Sequence, residues 1–164
     1  MSQGVHAYVG LGANLGDAAA SVRSAIQLLS ELPDTRLVRC SSLYRSAPID
    51  ATGDDFVNAA VQLDTTLDAH QLLRELQRIE LDFGRARPFR NAPRTLDLDL
   101  LVFGQSIIQD SALEVPHPRM GNRAFVLLPL HELNPHLAIP GLGQIEPLLA
   151  HVRDQPIEKL ISVL

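Results

Sequence analysis

Asp97 and Asp99 stand two residues apart in the run Thr95-Leu96-Asp97-Leu98-Asp99-Leu100-Leu101. In an extended chain successive side chains alternate, so both carboxylates project from one face, roughly 7 Å apart, while Leu96, Leu98 and Leu100 project from the other. At that distance they do not share a proton. They suit one or two hard cations whose other ligands are water and phosphate oxygens, the usual surroundings of magnesium. The competing reading is a solvated strand face, or two acids paired with nearby arginines. Leu101 and Phe103 continue the same alternation and argue for a partly buried face. A calcium EF-hand is excluded, because Leu101 fills a position that needs a ligand and Val102 one that needs a glycine.

Immediately upstream, Arg85, Arg87, Arg90 and Arg94 fall within ten residues. Planar, forked guanidinium groups match phosphate oxygens. A solvated loop balancing the neighbouring acids is the other possibility. An arginine loop leading straight into a two-aspartate strand fits a metal-and-polyphosphate site better than either part does alone. His117, fixed between Pro116 and Pro118 and followed by Arg123, is a candidate phosphate donor or an ordinary loop histidine. His6, His70, His131, His136 and His151 lack metal-ligand spacing and read as structural or surface residues.

Several functions are excluded. A net charge of −5 at pH 7 argues against a general nucleic-acid binder, which needs a basic surface. Cys40 is the only cysteine, so neither an internal disulfide nor a cysteine-rich zinc site is available. Gly10-Leu11-Gly12-Ala13-Asn14-Leu15-Gly16 misses the dinucleotide spacing G-x-G-x-x-G by one residue and reads as a tight strand-to-helix turn. No Gly-Lys-Ser or Gly-Lys-Thr occurs, so a nucleotide site is not of the P-loop type. No apolar run approaches the roughly 18 residues of a membrane helix, and the first residues lack the pattern of a signal peptide. A cytoplasmic location is expected.

The elements that must position these residues follow from periodicity. Val5 to Leu11 alternates as a strand. Asp17 caps a helix with Val22, Ala25, Ile26, Leu29 and Leu32 on its buried side, and Pro33 follows it. Thr35 to Tyr44 reads as a second strand and Phe56 to Leu63 as a third, with Val57, Ala59, Val61 and Leu63 on one face and Phe56 and Asn58 on the other. Asp68 caps a helix with the stripe Leu72, Leu76, Ile79 and Phe83, and Gly84 sits where it would stop. Thr95 to Phe103 is the fourth strand, and Gly104-Gln105 turns the chain into Ile107-Ile108. The order β-α-β-β-α-β predicts an α+β, ferredoxin-like core whose helices cover one face of an antiparallel sheet. A helix over Arg123 to Glu132 and lesser elements add C-terminal parts, giving α/β/α layers. With 164 residues, 46% apolar and 20% charged, the whole chain 1–164 reads as one domain.

At Ala92-Pro93-Arg94-Thr95-Leu96-Asp97-Leu98-Asp99-Leu100-Leu101 the sequence resembles the signature of the 6-hydroxymethyl-7,8-dihydropterin pyrophosphokinases of folate biosynthesis. Gly10 to Gly16, Leu43-Tyr44-Arg45-Ser46, Phe56 to Ala60, Gln77-Arg78-Ile79-Glu80 and Val115 to Met120 fit the same family in the same order. The resemblance implies transfer of the terminal two phosphates of ATP to the pterin hydroxymethyl group, with AMP leaving. It implies that Asp97 and Asp99 hold two magnesium ions and that Arg85, Arg87 and Arg94 meet the triphosphate, with Arg94 aimed at transition-state charge. Gln77, Glu80, His117 and Arg123 match nucleotide-side positions. Phe56 and Phe125 match rings that sandwich the pterin, Asn58 the residue that bonds its edge, and Ser46, Ala47 and Ile49 the loop that lines it. No general base is matched, and Arg90 matches no family position. Asn91 stands where some members carry a tryptophan, with Phe89 its candidate replacement. Pro118, Ala112 and Glu114 replace nucleotide contacts of other members, and those contacts are not carried over.

A monomer acting on ATP and the pterin, without nucleic acid or membrane, is the expectation. The rivals are a ferredoxin-like module that binds a small ligand without chemistry, which would not need Asp97 and Asp99 beside four arginines, and an RNA-binding domain of similar topology. The latter needs exposed aromatics on a basic face, against the acidic balance of this chain.

Overall fold

The computed structural model describes residues 4–14, 17–46, 56–85 and 96–161. Along the chain lie β1 (Val5–Ala13), α1 (Ala18–Ser30), β2 (Thr35–Cys40), β3 (Leu43–Ser46), β4 (Phe56–Thr65), α2 (Ala69–Arg85), β5 (Asp97–Phe103), β6 (Ile108–Gln109) and β7 (Glu114–Val115). A single 3-10 turn (Met120–Asn122), α3 (Ala124–Leu133), β8 (Ala138–Ile139), β9 (Gly143–Gln144), α4 (Ile145–Ala150) and β10 (Ile157–Ile161) complete it. The architecture is mixed α/β around one antiparallel sheet ordered β10-β3-β4-β1-β5, with β2 also paired to β4. Among the described residues no helix is long and apolar enough to cross a membrane.

Both helices after the first sheet strands start where the caps predict. The Asp17 carboxylate accepts from the Ala20 amide at 3.0 Å, a contact typically worth about 1 kcal/mol. Asp68 and Gln71 form a reciprocal capping box, Gln71 N to Asp68 Oδ1 at 2.8 Å and Asp68 N to Gln71 Oε1 at 2.9 Å. Their apolar stripes pack on one face of the sheet, with Val22, Ala25, Leu29, Leu72, Leu76 and Ile79 against Val9, Leu11, Val61, Leu63, Leu98 and Leu100. The other face is covered by α3 and α4, with Leu127, Leu130, Leu133 and Ile145 over Tyr8, Ala60, Leu101 and Val102. Two covered faces explain why the central strands carry apolar residues on both sides.

Four details differ from the periodicity reading. The second strand is two strands, β2 and β3, interrupted at Ser41-Ser42. There Ser41 makes a side-chain substitute for a ladder bond, accepting from Ala60 N at 2.9 Å, and donates its hydroxyl to the Ser42 carbonyl at 2.8 Å. Gly10 lies in the strand as expected, but Gly12 is not a turn residue and also lies inside β1, which runs to Ala13. Gly84 does not stop α2, which continues to Arg85. Phe103 does not share a face with Asp99, because the register slips between Tyr8↔Val102 and Val9↔Leu100 and leaves Leu101 as a bulge. A bulge reverses the alternation, so Leu101 and Val102 both face α3 while Phe103 joins the opposite core. The C-terminal tail also adds β10 to the main sheet, which its sequence does not announce.

Candidate active site

Asp97 and Asp99 are exposed on the face of β5 that α3 leaves uncovered, and Leu96, Leu98 and Leu100 are buried behind them. Opposite them on β1 stand Gly12 and Gly10, in register with Asp97 and Asp99 respectively. Gly12 in turn faces Asn58 on β4, and Asn58 faces Tyr44 on β3. One row across the sheet therefore reads Asp97, Gly12, Asn58, Tyr44. With strands ~4.8 Å apart, the aspartate and asparagine backbones stand about 10 Å apart over a floor that has no side chain. The space is committed: a Cβ on Gly12 would sit 3.3 Å from Asn58 Oδ1, and one on Gly10 would sit 3.2 Å from the Leu101 side chain. These glycines, missed as site residues in the sequence, are what make the trough.

At its far end Asn58 is buried, 3% exposed, and its Nδ2 donates to Ser46 Oγ at 2.7 Å. That bond orients the amide. Phe56, two residues earlier on the same strand face, pairs across the ladder with Ser46 and is half-buried. Ser46, Phe56 and Asn58 are thus brought together. Ala47 and Ile49 lie outside the described residues, as do Arg87, Arg90, Arg94, Phe89 and Asn91; Arg85 is the last residue of α2.

At the aspartate end the 116–119 loop is tied to β5 by His117 N donating to the Leu101 carbonyl at 2.9 Å. Burial pushes the His117 imidazole below its ordinary pKa; Asp99 pulls it up, Arg123 and Arg119 push it down, and Glu114 pulls it up. The ring is therefore mainly neutral at pH 7. Its Nδ1 accepts from Arg119 N at 3.2 Å, which leaves the proton on Nε2 and makes that atom a donor. Arg123 precedes α3, and its guanidinium lies 5.5 Å from the centre of the Phe125 ring, a cation–π distance. The first amides of any helix lack an intrahelical acceptor, and the start of α3 is held from outside. Gln155 does this, accepting from Ala124 N at 2.8 Å and donating to the Asn122 carbonyl at 2.9 Å. Nothing in the sequence around Gln155 signals that role.

Gln77 and Glu80 occupy a different place. They lie on α2, behind the sheet, and Glu80 reaches the edge of β5. Glu80 Oε2 accepts from the Leu98 amide at 2.7 Å, between the two aspartates. Gln77 is exposed one turn earlier. Among the described residues no three His, Cys, Asp or Glu side chains gather into a metal site. Two exposed carboxylates on one strand face suit instead a hard cation that takes its remaining ligands from water and a polyphosphate.

The sequence profile of the family described as 7,8-dihydro-6-hydroxymethylpterin-pyrophosphokinase (HPPK) matches residues 8–135, from β1 past the end of α3. The chain belongs to this family. It is 45% identical over 154 residues to the 2-amino-4-hydroxy-6-hydroxymethyldihydropteridine pyrophosphokinase of Pseudomonas aeruginosa, covering 93% of this chain and 95% of that one. To the Haemophilus influenzae protein of the same name it is 41% identical, covering 95% and 98%. Among solved structures it is similar to a Plasmodium falciparum HPPK-DHPS crystal structure, with a TM-score of 0.75 at 16% identity. The match covers 92% of this chain and 46% of that longer chain, a likeness of fold alone. The HPPK match spans the whole glycine-floored trough and both of its ends.

Proposed function

We propose that this chain transfers the terminal pyrophosphoryl group of ATP to the hydroxymethyl oxygen of 6-hydroxymethyl-7,8-dihydropterin, in folate biosynthesis. The observation that carries this reading is the Asp97–Gly12–Asn58 row, an acidic phosphate end and an amide-bearing end joined by a bare floor in a chain of this family. The pterin CH2–OH oxygen forms a bond to the β-phosphorus, the bridge between the α- and β-phosphates breaks, AMP leaves, and the hydroxyl proton passes to solvent. Asp97 and Asp99 would hold magnesium, which supplies charge neutralisation on the phosphates when bound. Arg85, Arg87 and Arg94 would meet the triphosphate with His117 Nε2–H and Arg123, and Gln77 and Glu80 would border the nucleotide. Ser46, Ala47, Ile49 and Asn58 would line the pterin. The core is read as ferredoxin-like, a reading supported by the order β3-β4-β1-β5 with antiparallel neighbours, and the protein as a monomer.

The deciding assay mixes the protein with magnesium, ATP and the reduced pterin. AMP and a pterin diphosphate are expected. ADP would mark an ordinary kinase, and no nucleotide product would leave a binding module. Omitting magnesium is expected to stop the reaction.

Phe56 on β4 and Phe125 on α3, both half-buried, are read as the two rings that sandwich the pterin. Phe56→Ala and Phe125→Ala are each expected to weaken pterin binding at least about tenfold, since stacking adds about 0.5–1.5 kcal/mol to the burial lost. Nucleotide affinity should stay within about twofold, the scatter of independent sites. Calorimetric titration checks this; equal losses for both ligands with a large fall in melting temperature would make the rings plain core.

A further inference from the structure

α3 reads Ala-Phe-Val-Leu-Leu-Pro-Leu-His-Glu-Leu, so His131 and Glu132 are its only ionisable residues. His131 points away from the sheet to Glu146 on α4, Nε2 to Oε1 at 2.7 Å. Glu132 points onto the sheet. Its Oε1 accepts from Tyr44 OH at 2.6 Å and from Ser42 N at 3.1 Å; its Oε2 accepts from Ser42 Oγ at 2.8 Å and from Ser42 N at 3.1 Å. Lys159 Nζ on β10 stands 4.0 Å away. Burial raises the Glu132 pKa, but these hydrogen bonds outweigh it and hold the carboxyl below its usual range. Burial, then the bond to Glu132, pushes the Tyr44 phenol well up. The group is therefore a carboxylate braced by three donors on two residues.

On the pterin reading, Phe56 on β4 and Phe125 on α3 are the two walls of the ring slot, and the brace ties α3 to the strand beside β4. Phe125 is seven residues before Glu132, two turns or about 10.5 Å along the helix and on the same side. Tyr44 directly faces Asn58, and the next residue of that strand face, Ser46, holds the Asn58 amide and pairs with Phe56. Leucine contacts are non-directional. They set how far α3 stands from the sheet, not where it rests along its own axis. Directional bonds fix that position: Gln155 at the first turn, and at the last turn the Glu132 set together with Arg39 Nη1, which donates to the Leu133 carbonyl at 2.6 Å. A ring held between two others needs a gap near 7 Å, twice the ~3.5 Å contact distance, and widening it by 0.5–1 Å forfeits about a quarter to a half of the attraction.

We infer that Glu132, through Tyr44 and Ser42, is a positioning residue that fixes the offset of Phe125 from Phe56 and so sets the fit of the slot for a flat bicyclic ring. This rests on the pterin reading above.

Tyr44→Phe is the decisive variant, because it removes one hydroxyl and leaves the ring packed; Ser42→Ala removes a second donor. Each is expected to raise the pterin Kd and KM about threefold to tenfold, the range for losing part of a charged hydrogen-bond set. The nucleotide Kd and the kcat at saturating pterin should stay within about twofold. If the brace acts through Phe125, adding Tyr44→Phe to Phe125→Ala costs little further pterin affinity. Unchanged pterin affinity in Tyr44→Phe and Ser42→Ala, equal loss for both ligands in step with melting temperature, or additive losses in the double variant would each overturn the inference while leaving the pterin reading intact. Wild-type protein that binds nucleotide but no pterin would overturn both.

Discussion

Asp97→Asn and Asp99→Asn are each expected to lower turnover by roughly 10³-fold, the size of removing one preorganised electrostatic group from a reacting phosphate or oxyanion. Neither change should unfold the protein. Both side chains are exposed on the open face of β5, with Leu96, Leu98 and Leu100 carrying the burial behind them, and exposed substitutions usually stay within about 0.5 kcal/mol. Stability without ligand should therefore hold, because the strand keeps its ladder and its buried leucines. A ligand that binds only the folded state raises melting temperature in proportion to its affinity. Wild-type protein should melt higher in magnesium and ATP than in ATP alone, and the variants should lose most of that difference. Wild-type turnover in both variants at ordinary magnesium would remove these carboxylates from the site.

The parts of this arrangement that were legible beforehand are those set by local chemistry. Asp17 and Asp68 announce helix starts because a cap is a three-residue event, and the Asp97–Asp99 spacing announces a shared face because alternation is a property of any extended chain. The signature around Pro93 to Leu101 identified the family outright. What was not legible depends on partners distant in sequence. Gly12 looks like a turn residue until β4 brings Asn58 against it. The break at Ser41-Ser42 has no local signal, since its stabilising partner Glu132 is 90 residues away. The bulge at Leu101, which removes Phe103 from the aspartates' face, is a mismatch between two strands and belongs to neither alone. Glu80 matched a nucleotide-side position, yet its bond to the Leu98 amide ties α2 to the edge of the aspartate strand.

Arg94→Ala is expected to lower kcat by at least about 10²-fold with little change in nucleotide affinity. Arg94 stands two residues before Leu96, whose side chain is 1% exposed at the start of β5. Arg87 and Arg90 are four or more residues farther from Leu96, within a segment punctuated by Pro88 and Pro93. A charge held in place and aimed at the transferring group acts mainly in the transition state, and an arginine finger in phosphoryl transfer contributes roughly 10³–10⁵-fold. Loss of such a group lowers kcat and kcat/KM together. Arg90→Ala, which matches no family position, should leave the chemical step within about threefold. Arg85→Ala and Arg87→Ala should fall between, acting on release of product more than on chemistry. Single-turnover measurements on the four variants separate the chemical step from release. An Arg90→Ala defect in that step equal to the Arg94→Ala defect would mean that the segment acts as a diffuse basic patch, with no arginine singled out by its distance from β5.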